Sequence, residues 1–160
     1  MSDHIDDEAL NEQQRIALQL MNEICDRLPH DVRPVGREMQ GCYFYVELVG
    51  EDAQRFWGHA GKSLDALQFI ANNILVRRVR GELRLVLDAG GYRERRAAAL
   101  RARALELAQE VKAMNQEAEL EPLPPHERRI IHKALADDPD VRTYSEGEEP
   151  DRRIIISPRE

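Results

Sequence analysis

The sequence predicts an α+β chain of one or two small compact modules. Three observations carry that prediction. Segments with apolar residues at helical spacing interleave with segments of apolar–polar alternation, and glycines and prolines fall between them. The length of 160 residues, 42% hydrophobic and 33% charged, suits one core or two small ones and is short for an elaborate enzyme.

Leu10, Ile16, Leu20, Ile24 and Leu28 recur at helical spacings, which predicts an amphipathic helix over 10–28 that Pro29 ends. Residues 32–39 and 42–49, on either side of Gln40-Gly41, read as a hairpin whose second strand, "CYFYVELV", is rich in aromatic and β-branched types. A short helix is expected over 51–57. After the break at Gly58–Gly61 a longer one runs to about Val76, with Leu64, Leu67, Ala71 and Ile74 on one face. Residues 82–87, "ELRLVL", alternate Leu83, Leu85 and Leu87 and make a third strand. The order is helix, strand, strand, helix, helix, strand.

"AGGY" at 89–92 interrupts the pattern, and a long helix over 92–114 follows, striped by Leu100, Ala104, Leu107, Val111 and Met114. Arg93, Arg95, Arg96, Arg101 and Arg103 crowd its first half. "EAELEPLPP" is a connector holding a short extended segment. A helix over 125–136 tolerates proline in its first turn and sets Glu127 near the positive end of its dipole. "VRTYS" and "RIIIS" read as strands joined through the acidic loop "EGEEPD".

No apolar run approaches the roughly 18 residues of a membrane span, and the acidic start "MSDHIDDEAL" is unlike a signal or transit peptide. A cytoplasmic protein with no membrane insertion is expected. Cys25 and Cys42 lack a CxxC spacing and read as buried small residues, so no disulfide framework, metal or cofactor is expected. The net charge of -7 hides a basic middle, because residues 76–112 carry ten basic and five acidic side chains. Any anion site is therefore local.

Two stretches suggest such a site. In "LPPHERRIIHKAL", 123–135, a step of about 100° per residue from Arg128 at zero puts His132 near 40°, Arg129 near 100° and Lys133 near 140°. Ile130, Ile131, Ala134 and Leu135 fall on the other side, so the helix divides into a core face and a cationic face. Arg128 and His132, four apart, stack on one side and can bracket a phosphate; a charged face is also the ordinary solvated side of a helix. In "FWGHAGKSLDALQF", Gly58 and Gly61 sit between two helices, where glycines let a phosphate backbone approach the leading N–H groups. A Gly-x-x-Gly turn can clamp about four nucleotides, although glycine pairs also make plain turns. "GKS" does not extend to a nucleotide-wrapping loop, since the position five before Gly61 is Phe56.

Gly58-His59-Ala60-Gly61 with "KSLDALQFIANNIL", then "LDAGGYRERR", "PPHERRIIHKAL" and "SEGEEPDRRIIISP", together resemble the bacterial Jag proteins, also called SpoIIIJ-associated proteins, over roughly 10–158. After an acidic tail over 1–10, the resemblance implies a type II KH domain over 11–90, a three-stranded sheet with helices on one side. A small α+β R-three-H domain over 91–160 would follow, named for an Arg-x-x-x-His signature that Arg128 and His132 match. Many members also carry an N-terminal Jag domain, not expected here because this chain begins directly before the KH module.

The implied function is single-stranded RNA binding, as a post-transcriptional regulator or RNA chaperone linked to cell elongation and envelope control, with a small single-KH protein as heteromeric partner. The implied contacts are Gly58, His59, Ala60, Gly61 and Lys62 in one clamp, and Arg128, Arg129, His132 and Lys133 in the other, extended by Arg93 and Arg96. Family members commonly place basic residues where this chain has His59 and Ala60. With an ordinary histidine pKa of about 6.5, affinity is expected to rise from about pH 7.5 to about pH 6 through His59 or His132. Two alternatives remain beside RNA binding: an adaptor that mainly pairs with the KH partner, and single-stranded DNA binding. A hydrolase centred on His132 has no nucleophile or carboxylate at a recognisable spacing, and no enzymatic activity is expected.

Overall fold

The computed structural model describes residues 9–159, so most of the acidic tail expected over 1–10 lies outside the described residues. The chain divides into two compact units after Arg93.

In the first unit, α1 (Glu12–Cys25) opens with a capping box in which Asn11 and Gln14 exchange side chain-to-backbone hydrogen bonds. The cap starts the helix after the expected Leu10, and at the other end it stops at Cys25, where Arg27 and Leu28 bond back only three residues; yet Leu10 is still buried and Leu28 still packs against the core. β1 (Arg33–Gln40) pairs antiparallel with β2 (Tyr43–Val49), and β3 (Arg84–Ala89) pairs parallel with β2, giving the order β1-β2-β3. Between β2 and β3 lie a 3-10 turn (Ala53–Trp57) and α2 (Gly58–Arg78). The third strand begins later than 82–87 because pairing starts where the Arg84 N–H meets the Cys42 carbonyl at 2.8 Å. Strand alternation turns Phe44, Val46 and Leu48 of β2 and Leu85, Leu87 and Ala89 of β3 inward, to join Ala17, Leu20 and Met21 of α1 and Leu64, Ala71 and Leu75 of α2. Each such large side chain contributes about 1.5–3 kcal/mol by leaving water. Cys25 belongs to this core, and burial pushes its thiol up to about 11; Cys42, against expectation, is only half-buried because it stands in the turn of the hairpin.

The outer edge of β3 is occupied by side chains. Asn72 donates to the Leu85 carbonyl at 2.9 Å and accepts from the Leu85 N–H at 2.8 Å. Gln68 accepts from the Leu87 N–H at 2.9 Å, and Arg93 Nε donates to the Leu87 carbonyl. Asp88 accepts from the Ala89 N–H at 2.8 Å, and Trp57 Nε1 donates to the Ala89 carbonyl at 2.6 Å.

The second unit is built on α3 (Tyr92–Met114), whose first two residues group with the first unit. Leu100, Ala104, Leu107, Ala108 and Val111 of α3 share a core with Ile131 and Leu135 of α4 (Pro125–Leu135) and with Ile154 and Ile156 of β6 (Arg153–Pro158). Met114, the last residue of the expected stripe, is instead 67% exposed, because the chain turns away at Asn115, which is left-handed with φ 51°. β6 is the central strand of an antiparallel sheet between β4 (Ala118–Glu119) and β5 (Val141–Glu146). Among the described residues no helix is long and apolar enough to cross a membrane.

Candidate nucleic-acid interface

The break at 58–61 is a left-handed turn. Gly58 has φ -60° and ψ 153°, an ordinary extended geometry, whereas His59, Ala60 and Gly61 have φ 53°, 57° and 77°. For His59 and Ala60 this backbone costs on the order of 1–2 kcal/mol each, so something must hold the turn. Tyr92 lies under it: a Cβ on Gly61 would stand 2.6 Å from the Tyr92 ring. Tyr92 stacks on Trp57 at 6.5 Å and 18°, and Trp57 is anchored to the Ala89 carbonyl. Gly90 leaves room for that indole, since a Cβ there would lie 3.0 Å from Trp57 Cζ2. "AGGY" therefore belongs to the turn's foundation as well as marking the end of β3.

The result is a loop in which Gly58, His59, Ala60 and Lys62 are exposed while Gly61 is buried. Helical backbone resumes only after Gly61. The leading N–H groups of a helix lack intrahelical acceptors and attract anions, and Lys62 adds a cation beside them. Arg93 is committed elsewhere: its guanidinium is 2.9 Å from Asp65 Oδ1 and 3.0 Å from Gln68 Oε1.

On α4 the four residues of the expected cationic face separate. Arg129 and Lys133 are exposed. Arg128 is buried, with Nε donating to the Leu123 carbonyl at 3.0 Å and Nη2 bonded to Glu149. His132 is half-buried against β5, with Nδ1 2.7 Å from Thr143 Oγ1 and Nε2 3.2 Å from Ser145 Oγ. A neutral imidazole satisfies both hydroxyls, one nitrogen donating and the other accepting. The open cationic face is corrected accordingly: Arg128 and His132 lie on the wheel beside Leu135, where β5 and the segments holding Leu123 and Glu149 cover the helix. Arg96 makes a bidentate pair with Glu127 at 2.9 and 3.0 Å, and Glu127 is 3% exposed.

Burial, then the nearby Arg128 charge, lowers the pKa of His132 below the ordinary 6.5. Its titration is therefore shifted to the acid side of the ordinary histidine value. The sequence reading did not anticipate Trp57, Tyr92 and Gly90 as supports of the turn, or Thr143, Ser145 and Glu149 as the groups that hold the Arg-x-x-x-His pair. "AGGY" and "EGEEPD" were visible signals, but only the tertiary pairing gives them these roles.

Residues 98–158 match the R-three-H domain family, so the second unit carries an R-three-H domain. Over 112 residues, 70% of this chain and 50% of the relative, the sequence is 42% identical to RNA-binding protein KhpB of Clostridium symbiosum. It is 38% identical over 102 residues to RNA-binding protein KhpB of Lactiplantibacillus plantarum, covering 64% of this chain and 32% of that one. To RNA-binding protein KhpB of Bacillus subtilis it is 34% identical over 112 residues, 69% of this chain and 54% of the relative. These matches show the resemblance to the Jag family that the motifs suggested. The chain spans about half the length of the first and third of these relatives and about a third of the second.

Proposed function

We propose that this chain binds single-stranded RNA, with the first unit acting as a type II KH domain and the R-three-H domain as a second contact, and that it acts by binding rather than catalysis. The observation that carries the reading is the exposed left-handed turn at Gly58–Gly61, which opens α2 and after which helical backbone resumes. The order helix, strand, strand, 3-10 turn, helix, strand, with β3 parallel to β2, supports the KH assignment. The RNA-binding names of the relatives support the ligand. Phosphate contacts come from the backbone of Gly58, His59, Ala60 and Gly61 with Lys62 in one unit, and from exposed Arg129 and Lys133 in the other. Arg93, Arg96, Arg128 and His132 serve the site by fixing its scaffold. The role in the cell is that of a cytoplasmic post-transcriptional regulator or RNA chaperone, in the cell elongation and envelope control to which the family resemblance points.

Fluorescence anisotropy with short labelled RNA at two salt concentrations tests this. Gly58→Asp is the informative variant, because a Cβ at Gly58 meets nothing within 4 Å and the added charge opposes a phosphate without straining the turn. Binding that falls steeply with salt and is weakened by Gly58→Asp supports the reading. Absence of wild-type binding at low salt refutes it, and equal affinity for the 2′-deoxy oligonucleotide moves it to single-stranded DNA.

A second reading, an adaptor for a small single-KH protein, is favoured by the outer side of α2, where Phe69, Ile70 and Val76 are 70%, 53% and 51% exposed. A complex that survives ribonuclease and is lost with Phe69→Glu would support it.

A further inference from the structure

The face of the first sheet turned away from its core carries features that neither the Gly58–Gly61 turn nor α4 uses. Along β2 the inward residues Phe44, Val46 and Leu48 alternate with outward Tyr43 and Tyr45. Strand register sets Tyr43 between Gln40 of β1 and Arg84 of β3, and Tyr45 between Glu38 of β1 and Val86 of β3; cross-strand partners share a face. Tyr43 is 50% exposed, Arg84 is exposed, and Tyr45 and Val86 are half-buried. The chain has only four tyrosines, and two stand side by side on this open face. Tyr144 bonds Glu117 through its hydroxyl and Tyr92 stacks on Trp57, but among the described residues no side-chain hydrogen bond or ring contact engages Tyr43 or Tyr45.

We propose that this face is a stacking platform for two consecutive unpaired bases of single-stranded RNA; the proposal rests on the RNA-binding reading above. Aromatic side chains on an open sheet stack splayed bases whatever their sequence. Residues two apart on one strand face are about 6.6 Å from each other, a spacing at which neighbouring rings can each hold a base.

Charge orients the strand. On the β3 side the partner of Tyr43 is exposed Arg84, which enters no ion pair among the described residues. On the β1 side the partner of Tyr45 is Glu38, exposed and negative. The phosphates therefore follow β3 while the bases turn over Tyr43 and Tyr45. Trp57 ties the Gly58–Gly61 turn to the Ala89 end of β3, and Arg84 starts the same strand. The two contacts are separated by most of a strand, roughly 17 Å. The platform thus lengthens the footprint beyond the four or so nucleotides that a Gly-x-x-Gly turn clamps.

The experiment uses the full chain and labelled oligouridines of four and ten nucleotides. It compares wild type with Gly58→Asp, with Tyr43→Thr/Tyr45→Thr, which keeps strand-forming residues but removes the rings, and with Tyr43→Phe/Tyr45→Phe, which keeps the rings. The threonine variant should lose about tenfold or more in affinity for the ten-mer and little for the four-mer, while the phenylalanine variant should bind like wild type. In parallel, 4-thiouridine in the ten-mer should crosslink wild type within the peptide containing Tyr43 and Tyr45, a readout independent of whether a variant folds.

Unchanged ten-mer binding by the threonine variant, with Gly58→Asp still weakening it, overturns the platform and leaves the RNA-binding reading standing. So does a phenylalanine variant as weak as the threonine one, or a crosslink confined to other peptides. Unchanged affinity with altered sedimentation would assign the face to protein contact and likewise overturn the proposal. No wild-type binding at low salt overturns both readings.

Discussion

The turn that opens α2 and the helix α4 offer an anion different kinds of group. At the turn the attraction comes from backbone N–H groups, with Lys62 the adjoining cation, and the aromatic support lies underneath. On α4 the attraction comes from side-chain charge, but Arg128 and His132 point into bonds with Leu123, Glu149, Thr143 and Ser145, leaving Arg129 and Lys133 outside. The contrast teaches that a motif's charged residues can build the scaffold while their neighbours face the solvent.

The sharpest way to break the comparison is Arg128→Ala. It leaves the Leu123 carbonyl without its guanidinium partner, while half-exposed Glu149 can rehydrate, so the second unit should lose about 2–3 kcal/mol in urea denaturation. Full stability combined with weakened RNA binding would instead make Arg128 a direct contact. At the turn, Gly61→Ala meets both the left-handed backbone and the Tyr92 ring and should destabilise the first unit by about 1–3 kcal/mol. Gly58→Ala has neither problem and should leave the melting curve in place, so equal losses at the two glycines would contradict the asymmetry of the turn.

A subtler test is pH. The lowered pKa of His132 means that below 6.5 the unfolded chain takes up a proton that the folded one resists. Its contribution to stability is therefore fully present above 6.5 and declines as pH falls toward the folded-state value. His132→Asn should remove that part of the pH dependence in denaturation measured between pH 7.5 and 5. The smallest structural effect belongs to Arg129→Ala/Lys133→Ala: melting should not move, but the logarithmic salt dependence of RNA binding should flatten by about 0.7 for each phosphate that is no longer neutralised.

The order of elements was legible because periodicity reports which face is apolar, and the stripe of α3 and the alternation of β2 follow directly from it. Element ends were less so: the Asn11 cap and the pairing of Arg84 with Cys42 depend on groups that no apolar pattern reveals. The site was legible as an address. Glycine spacing located the turn, yet it is His59 and Ala60 that adopt left-handed backbone while Gly58 does not, because Tyr92, far along the chain, and Trp57, tied to the end of β3, set its shape. Likewise the helical wheel saw α4 alone, and Arg128 is buried by a carboxylate 21 residues onward.

The side chains along β3 have a further consequence, for how the protein behaves at high concentration. A bare edge strand invites a neighbour's strand to zip on, the first step of edge-to-edge polymerisation. Here an incoming strand would have to displace the amides of Asn72 and Gln68, the guanidinium of Arg93, the Asp88 carboxylate and the Trp57 indole to reach Leu85, Leu87 and Ala89. On that side the sheet is closed to growth, and because Trp57 also helps hold the turn, loosening the seal to admit a strand would loosen the turn as well.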